Sequence, residues 1–308
     1  VKNKNILLVG GTGYIGRELY RHWAPANTVY YTGRQPPPIT TAEEQRDYRY
    51  LDLGAKESIR RVLEERSYDY IIFLAAKVQI DLSGSPVVLE KGDPLYRSNV
   101  EGVQNFMEIA QKIDSSIIYF SSMTVYDKEA SSPVSENSTL SPFHTYGKSK
   151  VLAEEKFAHH LSSSNSRGAI VRIPGIFGGS RQGGYIHNVL HKLQADEPVH
   201  LDVDTIVYWE ALYVRDLVVM LEDWIAGYRW PPFSCERFNL CYGEETDFVR
   251  TAYFLKTLTS SKSVISLSRD PTYATFYMDN TKISQYWTTT RTYGYHDALR
   301  HYAREGIS

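Results

Sequence analysis

Three side chains have the types and spacing to move a proton together. In "HTYGKSKVLAEEKF", residues 144–157, Tyr146 stands four positions ahead of Lys150 near the start of a helix-like stretch, so both fall on one face a turn apart. A tyrosine ionises near about pH 10 and is a poor base at neutral pH. An ammonium at about 4 Å contributes roughly 4 kcal/mol at an effective dielectric of about 20. One pKa unit is about 1.4 kcal/mol, so the lysine is expected to lower the phenol by about two to three units. "IIYFSSMTVYD", residues 117–127, closes an apolar strand with Ser121 and Ser122. Ser122 would hydrogen-bond the oxygen on which the phenol acts. Such a pair suits proton exchange with a carbinol or ketone while hydride moves at the adjacent carbon.

A hydride carrier needs a place to sit, and the beginning of the chain supplies one. "LLVGGTGYIGREL", residues 7–19, sets Gly11, Gly13 and Gly16 in G-x-G-x-x-G spacing after a strand and into a helix, with Gly10 adding a second register. Glycines there allow a tight turn and a close approach to a pyrophosphate, whose oxygens face the N–H groups opening the helix at Tyr14 and Ile15. An NAD site normally adds an acidic residue about twenty positions on. "TVYYTGRQPPP" instead has Gly33 and Arg34, with no Asp or Glu between Glu18 and Glu43. A carboxylate would repel a 2′-phosphate and a guanidinium would bind it, so NADP(H) is expected, with Arg34 on the phosphate and NAD(H) as the alternative. Asp52 in "YLDLG" would receive the adenine amino group or serve the start of the following helix.

The elements that must position these residues alternate in one rhythm. "NILLVG", "TVYYTG", "YRYLDL", "YDYIIFLAA", "SSIIYFSS" and "GAIVRIPGIFG" read as strands, separated by amphipathic helices such as "YIGRELYRHWA" and "LYRSNVEGVQNFMEIAQKI". Continuous apolar strands between such helices predict a doubly wound parallel α/β sheet covered on both faces. After about residue 175 the rhythm weakens. A Rossmann domain is therefore expected over 1–174, with 175–308 mainly a smaller substrate-binding lobe and a segment near 211–226 returning to the first domain. "PVHLDV" and "RFNLCY" read as strands of that lobe.

Composition sets the outer bounds. Among 308 residues, 42% are hydrophobic and 23% charged, enough for a real core, and the net charge of −2 gives no footprint for nucleic acid or an anionic membrane. The two cysteines, Cys235 and Cys241, form neither a zinc set nor a disulfide framework, and no metal is expected. No apolar run approaches a membrane span. A cytoplasmic protein is the expectation.

In order along the chain, "GGTGYIG", "LDL", "FLAA", "NVEGVQN", "FSSMTVYD", "TYGKSK" and "VRIPGIFG" resemble the extended short-chain dehydrogenases/reductases of the NAD(P)-dependent nucleotide-sugar epimerase/dehydratase family. The resemblance covers nearly the whole chain. It implies Ser122, Tyr146 and Lys150 as catalytic. It also implies Leu53, Leu74, Ala75, Ala76 and Ile173 or Pro174 near the cofactor, and Asn99 as a structural or cofactor-side residue. Substrate-side positions would be Lys77, Met123, Thr124, Arg181 and Arg269. It further implies a homodimer through paired helices around 95–112 and 146–160.

Departures from the pattern narrow the reaction. Family dehydratases place an acidic pair after the serine or threonine, and the uronic acid decarboxylases a glutamate; here Met123 and Thr124 stand there. That leaves reduction of a nucleotide-linked 4-keto-6-deoxyhexose with Tyr146 as proton donor, or 4-epimerisation with retained NAD, or a non-catalytic NADP-sensing protein. The lobe departs further: Trp209 and Glu210 in "YWEALYVRDL" replace a common Arg-Asp, and Gly175 replaces an asparagine. Tyr208, Trp209 and Tyr213 suit stacking on a base or sugar and ordinary core packing equally. His144 is expected as a helix cap or surface residue, and His159 and His160 as partners of a helix dipole.

Overall fold

The computed structural model describes residues 1–36, 41–79, 87–162, 166–202, 209–268, 276–288 and 292–305. The strands are β1 (Asn5–Val9), β2 (Thr28–Gly33), β3 (Tyr48–Tyr50), β4 (Tyr70–Phe73), β5 (Ser116–Ser122), β6 (Arg167–Ile173), β7 (Gly175–Phe177), β8 (Val199–Asp202), β9 (Ala211–Tyr213), β10 (Cys235–Asn239) and β11 (Ile265–Ser268). The helices of the first half are α1 (Tyr14–Trp23), α2 (Ala42–Asp47), α3 (Lys56–Glu64), α4 (Pro94–Tyr96), α5 (Gly102–Ala110) and α6 (Thr145–Leu161). Those of the second half are α7 (Tyr185–Gln194), α8 (Val214–Gly227), α9 (Phe248–Thr259), α10 (Thr281–Ser284) and α11 (Tyr295–Glu305).

Seven parallel strands form the main sheet in the order β3-β2-β1-β4-β5-β6-β10. Along β1, Ile6 and Leu8 enter one core cluster and Leu7 and Val9 the other, so alternate side chains are buried on opposite faces. Leu19, Tyr20 and Trp23 of α1 and most of α8 cover the first face. Ile59, Val62 and Leu63 of α3, with α5 and α6, cover the second. Spacings of three and four put each trio on one helical stripe. Because β1 pairs with β2 on one side and β4 on the other, the crossovers diverge there and open a crevice at the strands' carboxyl ends.

The structure departs from the sequence expectation in three places. "GAIVRIPGIFG" is not one strand: β6 ends at Ile173, and β7 starts at Gly175 to pair with β9, because Pro174 brings no N–H to a ladder. "RFNLCY" does not belong to the lobe; its first residues form β10, which pairs with β6 as an edge strand of the main sheet. The long helix near residues 95–113 is interrupted by a π-helical turn, Arg97–Glu101, that carries Asn99. Helix α8 packs against α1. The lobe has its own core, built from α7, α9, α11 and β9. Among the described residues, no helix is long and apolar enough to cross a membrane.

Candidate active site

The glycine loop is shaped by contacts that admit no side chain. Gly10 has φ +80°, and a Cβ there would lie 2.6 Å from Ala75 Cα. At Gly16 a Cβ would lie 2.4 Å from Gly11 Cα, so loop and helix interlock. Gly13 is different: it is exposed, and a Cβ would meet only the Gly10 carbonyl oxygen, at 3.2 Å. That position is open towards solvent and lets a ligand approach the backbone. Gly13 is also the N-cap of α1, with no side-chain cap and no acidic residue in the first turn. The N–H groups of Tyr14 and Ile15 are thus available to an anion, and the cradle fits a dinucleotide pyrophosphate. The Tyr14 hydroxyl itself is taken up, donating to Gly178 O at 2.6 Å. Burial raises its pKa, opposed by the nearby Arg181 guanidinium.

The rim of the crevice follows from the next strands. Gly10 N–H donates to Thr32 Oγ1 at 3.1 Å, and the Tyr48 hydroxyl donates to Gly33 O at 2.8 Å, fixing the end of β2. Arg34, immediately beyond, is exposed and makes no hydrogen bond or ion pair with the described residues. The Asp52 carboxylate accepts from Gly54 N at 2.9 Å and its own N–H donates to Ser58 Oγ at 3.0 Å, which gives it a turn-forming role ahead of α3. Leu53 O accepts from Asn105 Nδ2 at 3.0 Å. Leu74 N–H donates to Val9 O at 2.8 Å, so Leu74, Ala75 and Ala76 leave β4 beside the glycine loop. Ile173 lies opposite Ser122 at the end of the β5–β6 ladder.

The segments that carry Ser122 and Tyr146 meet across a tight backbone contact. A Cβ at Gly147 would lie 2.2 Å from Thr124 O, so only glycine lets the first turn of α6 settle on the 3-10 turn Met123–Val125. Ser122 Oγ accepts from Thr124 N at 3.2 Å and from the Thr124 hydroxyl at 3.0 Å. With two bonds accepted, its own proton is left to donate. Asn99 ties the far side: its Oδ1 accepts from Lys77 N at 2.7 Å, and its Nδ2 donates to Lys77 O and Ser149 Oγ, both at 2.9 Å. Ser149 in turn donates to Tyr146 O at 2.7 Å. Asn99 is therefore a structural clamp between the segment after β4 and the tyrosine's own helix.

The electrostatics overturn the expected tuning. No hydrogen bond joins Lys150 Nζ to the Tyr146 hydroxyl. The amine turns the other way, donating to Phe120 O at 2.7 Å and Tyr119 Oη at 3.1 Å, 4.6 Å from the Tyr119 ring centre. Burial pushes the Tyr146 phenol up to about 12 instead of lowering it. Burial also pulls the Lys150 amine down to about 7, opposed by the Glu154 charge one turn on. Lys150 is fully buried and Tyr146 half-buried, and the cost of charging each outweighs the attraction that their spacing suggested.

On the substrate side, Lys77 has its backbone clamped and its side chain exposed. Met123, expected at the substrate, is instead buried in a core cluster with Val125, Tyr126 and Phe276. Thr124 spends its hydroxyl proton on Ser122 Oγ. Arg181 donates to Ile176 O and lies near Tyr14, on the glycine-loop side of the crevice. Arg269 and Tyr208 lie outside the described residues. Tyr213 is fully buried in the lobe core. Trp209 is partly buried, stacked on Phe248 at 4.7 Å and edge-on to Tyr185 at 5.4 Å. Cys235 and Cys241 are free, and burial raises both thiols. Among the described residues no cluster could hold a metal.

Two participants escaped the sequence reading. Tyr119 holds Lys150, although it reads simply as a strand residue. Glu154 forms a two-pronged pair with Arg172 (3.0 and 2.7 Å), both at most 2% exposed, and Arg172 also donates to the Tyr126 hydroxyl at 3.0 Å. The helical offset of Glu154 from Lys150 was visible; its distant partner on β6 was not.

Comparison with known proteins agrees with this fold. The RmlD substrate binding domain family matches residues 4–222. The Escherichia coli O157:H7 N-acetyl-alpha-D-glucosaminyl-diphospho-ditrans,octacis-undecaprenol 4-epimerase is 27% identical over 73% of this chain and 66% of its own length. The mouse methionine adenosyltransferase 2 subunit beta is 26% identical over 58% of this chain and 48% of its own. The dTDP-4-dehydrorhamnose reductase of Burkholderia thailandensis is 28% identical over 48% of this chain and 44% of its own. The matched regions thus span about half to two thirds of these relatives. A Bacillus cereus UDP-glucuronic acid 4-epimerase structure superposes with a TM-score of 0.80 at 17% identity, covering 97% of this chain and 98% of that one, and shows the same fold. The chain belongs to the RmlD substrate binding domain family, within the extended short-chain dehydrogenases/reductases of nucleotide-sugar epimerase and reductase type.

Proposed function

We propose that the protein is an NADPH-dependent reductase of a nucleotide-linked 4-keto-6-deoxyhexose. The observation that carries this reading is the pair of hydroxyl donors at the end of β5 and the start of α6. Tyr146 is kept protonated by burial, and Ser122 has its lone pairs occupied by Thr124, so each has a proton to offer a substrate oxygen bound between them. A ketone oxygen is the group that two donors favour as negative charge develops on it. A nicotinamide dinucleotide in the glycine cradle would supply the hydride. Tyr146 then gives its proton to the C4 oxygen, while Ser122 holds that oxygen in place. Lys150, anchored by Phe120 O and Tyr119, closes the buried end of the site one turn along α6. Met123 and Thr124 supply no acid/base pair, which disfavours water loss. Arg34, just past β2 and unpaired among the described residues, suits a 2′-phosphate.

A second reading, 4-epimerisation with a retained nicotinamide cofactor, is favoured by the Escherichia coli relative, which matches over the largest share of this chain among the relatives described. The test mixes purified protein with NADPH, or NADH in parallel, and a panel of nucleotide 4-keto-6-deoxyhexoses, following reduced-nicotinamide absorbance. Rapid oxidation with NADPH preferred supports the reductase. No oxidation with any member, together with interconversion of C4 epimers, moves the assignment to the epimerase.

A further inference from the structure

The helix that carries Tyr146 is capped by an imidazole. Ser, Thr, Asn and Asp lead at N-cap positions because a short side-chain oxygen accepts a first-turn N–H. Here the N-cap of α6 is His144, extended at φ −149° and ψ 161°, and its Nδ1 accepts from Gly147 N–H at 2.9 Å. That bond fixes the tautomer: with Nδ1 accepting, the neutral ring carries its proton on Nε2. Protonation would place a second proton on Nδ1, so a donor would face a donor and the cap would be lost. The ring is 3% exposed, stacked on Tyr146 with centres 6.1 Å apart and edge-on to Phe143 at 4.7 Å. The N–H it holds belongs to the residue after Tyr146, at the point where the helix presses on Thr124 O.

We propose that His144 is a proton-sensitive positioning residue for Tyr146: its neutral ring seats the first turn of α6 on the Met123–Val125 turn, and its protonated ring releases it. Burial lowers the imidazole below its ordinary 6.5, opposed by a lesser interaction with the backbone of His144 itself, and no charged group contributes. Its ring neighbours are Phe143 and Tyr146, and the Met123–Val125 turn on which Gly147 presses carries no charged side chain. A depressed pKa means the cap is fully formed above about pH 6.5 and is lost as pH falls through the folded-state value. The consequence for turnover rests on the role proposed for Tyr146; the cap itself does not.

The test is amide hydrogen exchange of the full cofactor-free chain over residues 144–150, from pH 8 to pH 5, corrected for intrinsic exchange. His144→Ala should exchange about fivefold faster than wild type at pH 8, the equivalent of one lost N-cap. Wild type should lose a similar factor on acidification. His144→Asn, which caps through a carboxamide oxygen that does not titrate, should stay protected throughout. Acid loss in His144→Asn equal to wild type would overturn the proposal, as would full protection of His144→Ala at pH 8. Should the alanine variant fail to fold, wild type against His144→Asn decides alone. Exchange needs no substrate, so its outcome is separate from that of the reductase assay.

Discussion

Lys150 sits where its spacing from Tyr146 puts it, yet its amine points at Phe120 O and Tyr119. The four-residue offset fixed which face both side chains share, but the direction of an amine on a flexible stem depends on acceptors from β5, which the local pattern does not reveal. Burial then decides the titration of both groups. The cofactor-free protein should therefore show a Tyr146 phenolate transition near about pH 12, read as the ultraviolet difference between wild type and Tyr146→Phe. A transition near neutrality would restore the ammonium-driven picture. Arg34 stands where a carboxylate is expected, and it has no competing partner among the described residues. If it binds a 2′-phosphate, Arg34→Ala should weaken NADPH binding by about 10- to 100-fold, the worth of a charged hydrogen bond of about 1.5–3 kcal/mol, and leave NADH binding unchanged by calorimetry.

At the scale of elements, α6 is held by contacts from several parts of the chain. Gly147 against Thr124, Ser149 to Asn99, and Glu154 to Arg172 join it to the turn after β5, the π-helical turn and β6. The loop glycines near the start of the chain were readable from their spacing, whereas Gly147 was not, since the carbonyl it presses on lies in another segment. The Glu154–Arg172 pair was not, since its members come from elements that meet only in the folded sheet. Removing one partner leaves a buried charge uncompensated, so Arg172→Met should cost about 3–5 kcal/mol of stability by denaturant unfolding. Replacing both residues with apolar ones should recover much of that loss.

Across the whole molecule, the alternating strands and helices of the first half were read correctly as a doubly wound sheet because both periodicities are local. The second half was harder: β10 returns to the main sheet after the lobe has begun, and β7 and β9 form a separate ladder. Glu210, seen in the sequence only as a replacement, is a tie within this half. Its carboxylate accepts from Gly243 N and Met278 N, both at 2.9 Å, and burial pushes it up to about 7. A raised carboxyl pKa contributes stability that is complete below about 4.5 and is lost as pH rises through about 7. Glu210→Gln should flatten the fall in unfolding free energy between those values, and an unchanged pH slope would contradict this role.

The central claim is that Tyr146 delivers a proton to a sugar ketone. The most direct measurement is single-turnover oxidation of NADPH with a nucleotide 4-keto-6-deoxyhexose, comparing wild type with Tyr146→Phe, alongside NADPH affinity. The expected result is a rate lowered by about 10²- to 10⁴-fold in the variant, with NADPH affinity within about twofold of wild type. Oxidation by Tyr146→Phe at the wild-type rate would contradict the account.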